Sequence, residues 1–157
     1  MSRRLWLTSA LTALVACAAS DAIAPLPPDE LRAAPLVITI AGQTLSLEPS
    51  LWRDFQPSSP PNGRPLVAFL RVRSTDSTAL KATIHVDAVW IANGSETWSS
   101  AAGEEYVAPG RAFYQAVARD GPKWSPGDRV DVVVRLREAP SAPQLLRAAG
   151  QLILRTD

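Results

Sequence analysis

From residue 36 onward, apolar and polar positions alternate in short runs, each closed by Gly, Pro, Asn or Asp. A period of two is the signature of strands with one face buried. Residues 66–74 set Leu66, Ala68, Leu70 and Val72 against Val67, Phe69, Arg71 and Arg73. Residues 129–137 set Val130, Val132, Val134 and Leu136 against a face carrying Arg129, Asp131, Arg135 and Arg137, which points to solvent. Residues 36–40 and 44–48 read as a hairpin around Ala41 and Gly42, and residues 50–55 as a separate short strand. Residues 56–65 hold four prolines and read as a loop, because proline cannot donate to a ladder. In residues 82–92, Ile84, Val86, Ala88 and Trp90 alternate with His85, Asp87, Val89 and Ile91, which makes Trp90 a core residue. Asn93-Gly94 follows and predicts a type I′ turn, with residues 95–100 as the returning strand. A two-residue loop centred there places Trp98 opposite Val89, on the outward face with His85. Residues 112–119 form a further strand, 120–128 a turn-rich connection, and 144–156 a last strand.

Seven to nine strands with Pro and Gly turns predict an all-β chain: an antiparallel β-sandwich, with a closed barrel as the alternative. In pattern the chain resembles the broad immunoglobulin and fibronectin type III group of sandwiches. The Cys-Trp-Cys constellation of antibody domains is absent, and such a fold hosts unrelated activities.

The first 35 residues follow another rule. Arg3 and Arg4 precede an uncharged apolar run over residues 5–16. It is too short to span a bilayer as a helix but has the length of a signal-peptide core. The run ends Leu14, Val15, Ala16, Cys17, which resembles the bacterial lipobox. That resemblance implies cleavage before Cys17, lipidation of Cys17, export and a membrane anchor of more than one acyl chain, as stable anchoring requires. Ala18 in place of aspartate favours the outer membrane where a cell has one. The alternative is an ordinary secretory signal cleaved after Ala18. Ser2-Arg3-Arg4-Leu5-Trp6-Leu7 resembles a twin-arginine motif, which leaves Sec or twin-arginine export open. The chain thus divides into a signal peptide (1–16), a lipidated N-terminus and Pro/Ala-rich tether (17–35) with one possible helical turn at 29–34, and a β-sandwich (36–157).

Without Arg3 and Arg4 the chain has 14 basic and 15 acidic residues, with no basic cluster for phosphate, so nucleic acid is not an expected partner. Cys17 is the sole cysteine, which removes disulfides and thiol chemistry from the lipidated form. His85 is the sole histidine; Asp87 shares its strand face, but no nucleophile elbow accompanies them. Glu104 and Glu105 are adjacent, and in a strand adjacent side chains diverge. Asp120, Asp128 and Asp131 surround one turn without EF-hand spacing and read as turn residues. No cofactor, metal site or catalytic activity is expected. The residues singled out for binding are Trp98, Trp124, Trp52 and Arg53, because Trp and Arg dominate binding hot spots. Loop tryptophans also plug sandwich ends, and residues 51–55 also read as a structural strand. The expected partners are the membrane through the lipid anchor and an envelope protein or polysaccharide. The leading reading is a lipid-anchored envelope protein with a binding or structural module. A carbohydrate-binding module using Trp98 and Trp124, and an inhibitor of a secreted enzyme presenting residues 56–65, are the rivals.

Overall fold

The computed structural model describes residues 23–81, 83–106 and 112–157, apart from the side chains of 104–106. Among the described residues one short helix, α1 (Pro28–Ala33), precedes nine strands: β1 (Val37–Ile40), β2 (Gln43–Asp54), β3 (Leu66–Ser74), β4 (His85–Asn93), β5 (Glu96–Ala101), β6 (Gly103–Tyr106), β7 (Phe113–Gly121), β8 (Arg129–Arg137) and β9 (Gln144–Thr156). They form one curled sheet in the order β5-β4-β8-β9-β2-β3-β7-β6, with β1 paired to β2. The fold is all-β and sandwich-like. One layer holds β1, β2, β3, β7 and β6; the other holds β5, β4, β8 and the first part of β9. Between them lies the main core, including Leu45, Leu51, Leu70 and Val72 from the first layer and Val89, Val132, Val134 and Leu136 from the second. The core-facing alternation read from β3 and β8 is the one buried here, but the other face of β8, expected to meet solvent, also buries Val133.

The layers join at two corners. β9 pairs antiparallel with β8 over Gln144–Leu152, then parallel with β2 over Ile153–Thr156. Just before the switch lies a bulge where Gly150 takes φ +63° and its amide donates to Asp131 Oδ1 at 2.8 Å. Glycine adopts that conformation without steric cost, and bulges bend strands. The sheet is therefore mixed, where the sequence predicted antiparallel pairing throughout. At the opposite corner only Ala102 separates β5 from β6.

The expected strands 44–48 and 50–55 are one strand, β2. Pro49 is tolerated because the neighbouring edge is unoccupied there: β1 pairs with Gln43–Ser46 and β9 with Leu51–Asp54.

The β4–β5 hairpin departs from the expected register. Asn93 pairs with Glu96 and Ile91 with Trp98, so the two-residue loop is Gly94-Ser95. Positive φ occurs at Gly94 (+61°) and at neither Asn93 nor Ser95, the requirement of a type II′ turn and not type I′. Asn93 stays in the strand, its side-chain amide donating to Asp128 Oδ2 at 3.0 Å.

β4 also carries a bulge between Val86 and Ala88. The extra residue inverts the faces beyond it. Ile84, Val86, Val89 and Ile91 enter the main core, while Ala88, Trp90 and Ala92 point out the other side of the layer. Trp90 is buried as expected, but not with Ile84 and Val86.

What covers it is the segment expected to be a tether. Residues 23–34 lie across the outer face of β4 and β8 and form a second core of Leu31, Ala34, Ala88, Trp90, Ala92 and Val133, joined by Ile23, Leu26 and Leu145. Leu31 is fully buried. Trp90 Nε1 donates to Ala24 O at 3.0 Å, Arg147 Nε to Ala34 O at 3.1 Å, and the Arg147 amide to Pro35 O at 2.8 Å. Pro28 suits the first turn of α1, and Asp29 and Glu30 favour its N-terminus.

Candidate functional site

The residues singled out from the sequence fall into three places. Cys17 lies outside the described residues. Trp98, Trp124 and Arg53 gather at one end of the sandwich, and Trp52 lies on the outer face of the first layer.

At the sandwich end the side chains are committed to structure. The β4 bulge and the register put Trp98 on the core side of β5, where it packs against the main core and lies 3.4 Å from the position a Cβ on Gly121 would take. Trp98 is therefore not the outward-facing residue expected. Trp124 also packs against the main core, and its Nε1 donates to Glu96 Oε2 at 2.5 Å. The arrangement is that of tryptophans closing the end of a sandwich.

Arg53 is 2% exposed. Its guanidinium donates to the carbonyls of Arg64 (3.0 Å), Lys123 (3.0 Å), Trp124 (2.9 Å) and Asn62, and sits 4.9 Å from the Phe55 ring centroid. Burial pulls its pKa below the ordinary arginine value. Five fixed donors in a planar fork suit a cation that must hold several carbonyls at once. It ties the 56–65 loop to the β7–β8 connection. That loop is braced further: the Arg64 amide donates to Asp54 O at 2.8 Å and Gly63 N to Pro60 O at 2.7 Å. Gly63, at φ +61°, presses on Phe55 so closely that a Cβ would meet the ring at 2.8 Å. Arg53 is thus a brace between two loops and not an exposed binding residue.

His85 is exposed, and Asp87 turns elsewhere. Asp87 accepts from Arg135 Nε at 2.7 Å and Arg135 Nη2 at 2.9 Å, and also from Arg137 Nε. Burial pushes its pKa up, but the hydrogen bonds from Arg135 and Arg137 outweigh that and hold the carboxyl below its ordinary range. Arg135 also lies 5.7 Å from the Trp90 ring centroid. The carboxylate therefore locks the bulge to β8 and does not orient a histidine. Asp128 accepts from the Ser125 amide at 3.1 Å and from Asn93, and Asp131 from the Gly150 amide, so both serve turns. Among the described residues no group of three or more His, Cys, Asp or Glu side chains is placed to hold a metal.

The outer face of the first layer is different. Trp52 stacks on Phe69 with centroids 4.9 Å apart and planes 20° from parallel. Cross-strand register places Val67 and Leu154 on either side of Trp52, and Leu152 precedes Leu154 on the same face. Leu152 and Leu154 are 42% and 49% exposed. Arginines border this apolar strip: Arg71 lies 4.9 Å from the Phe113 ring centroid, and Arg73 pairs with Glu48 at 2.9 Å. The sequence reading included Trp52 but missed Phe69, Leu152 and Leu154. Their shared face depends on the parallel β2–β9 register, which joins residues distant in sequence.

Two grooves are smaller than ligand pockets usually are. One of about 240 Å³ is lined by Ser100, Ala101, Gly103, Val117, Arg119 and Asp120, the other of about 190 Å³ by residues near Glu138 and Pro140. Neither includes a tryptophan. No family model, curated protein or solved structure matches the chain.

Proposed function

We propose that the protein is exported, lipidated at Cys17 and held at a membrane, and that its sandwich-like domain is a non-enzymatic binding module for another macromolecule of the envelope. The observation that carries the anchor is the run Leu14-Val15-Ala16-Cys17 at the end of an uncharged apolar stretch. A protein surface is the better partner class. The half-buried stack of Trp52 and Phe69 beside exposed Leu152 and Leu154, bordered by arginine, has the composition of the centre of a protein interface. The carbohydrate reading loses its two tryptophans, which pack inward. The inhibitor reading retains only the exposed tip of a braced loop.

Detergent phase separation tests the anchor. The wild-type protein is expected in the detergent phase and Cys17→Ser in the aqueous phase. Equal partitioning of the two would overturn the reading.

A further inference from the structure

Resting on the anchor reading, we infer that residues 23–34 act as an orienting strap. It holds the outer face of β4 and β8 toward the bilayer and turns the Trp52–Leu154 face away from it. The argument begins with where the chain is fixed. Ile23 packs in the second core, and its carbonyl accepts from Ser99 Oγ at 3.4 Å, so the chain is held to the second layer from that residue onward. Only six residue steps separate Cys17 from Ile23. At full extension they reach about 20 Å. The lipidated residue is thus confined close to the strap side.

The opposite face lies across the whole domain. Sheets in a sandwich stand about 10 Å apart, and a helix laid on one adds about 10 Å more. Bringing Trp52 and Leu154 to the lipid would place Ile23 some 20 Å or more above it. The five intervening residues would then have to run fully extended around the domain edge, at the greatest entropic cost. By composition the Trp52–Leu154 strip is the natural lipid-seeking face, with tryptophan, leucine and bordering arginine. The short leash opposes that placement and leaves the strip open to the aqueous compartment. The strap holds itself down: it buries Leu31 and Ala34, satisfies Trp90 Nε1 and Arg147, and ties Arg32 to the Gly94 carbonyl.

The experiment uses lipidated full-length protein in vesicles of phosphatidylethanolamine and phosphatidylglycerol carrying a headgroup quencher. A fluorophore is placed at Glu30→Cys, on the strap side, or at Ser50→Cys, beside Trp52; Cys17 is blocked by its lipid. Quenching severalfold stronger at position 30 than at position 50 is expected. A Gly/Ser insert of about 20 residues between Ser20 and Asp21, with a typical span near 25 Å, should erase the difference. Equal quenching, or stronger quenching at position 50, in protein that floats with the vesicles would overturn the orientation while leaving the anchor intact. Protein that does not float would overturn the anchor itself.

Discussion

The two outer faces of the sandwich make opposite use of similar residues. On the second layer Ala88, Trp90, Ala92 and Val133 are buried beneath the strap. On the first layer Trp52, Phe69 and Leu154, continued by Leu152 at the corner, form a comparable apolar strip, and much of it stays in contact with water. Apolarity alone does not decide which face is covered. The difference lies in the neighbours. Around Trp90 the flanking residues are alanines, so backbone can approach closely enough for Ala24 O to meet the indole N–H. Along the Trp52 face, beyond Phe69, stand Arg71, Arg73 and Glu48, charged groups whose desolvation a segment covering the whole face would have to offset.

The sharpest way to break this comparison is to cut matched tryptophans. Trp90→Ala is expected to cost about 3–5 kcal/mol, as for other buried aromatic truncations. Denaturant titration measures it, and a cost no larger than that of Trp52→Ala would show that the strap face is not part of the core. A smaller effect concerns the electrostatics beside Trp90. The folded pKa of Asp87 lies below its ordinary value, so its ion pairs contribute fully above the ordinary carboxylate range and fade as pH falls through the folded value. The stability advantage of wild type over Asp87→Asn should be level at neutral pH and shrink below about pH 4. An advantage that grows on acidification would reverse the assignment. The smallest effect is on the bare face: Leu154→Ser should change stability by no more than about 0.5 kcal/mol, as exposed substitutions do. Thermal unfolding checks this, and a loss like that of Trp90→Ala would mean that the strip is covered after all.

Much of this architecture was legible. β3 alternates throughout, and β8 does so apart from Val133, so their core-facing sides follow directly. The 56–65 loop is fixed by its prolines. What stayed hidden depends on single residues or on distant pairing. Nothing local marks Asp87 as a bulge, yet that one insertion sends Trp90 and Trp98 to faces other than those predicted. Arg53 reads as a surface charge because its partners are main-chain carbonyls of two other segments, which leave no trace in side-chain pattern. The strap lacks strand alternation and is rich in Pro and Ala, the composition of a linker. Leu31 and Ala34 are buried, and Leu26 partly so, only because β4 and β8, distant in sequence, assemble the groove that receives them.

The corner strand β9 also has a kinetic consequence. Leu51 meets Ile153 across about a hundred residues of intervening chain, a non-local pairing of the kind that slows β proteins into the millisecond-to-second range. Until β9 arrives, β2 and β8 each present an open edge to any other extended chain. The domain therefore passes through a period of vulnerability to mispairing during folding. It ends when one strand closes both edges together.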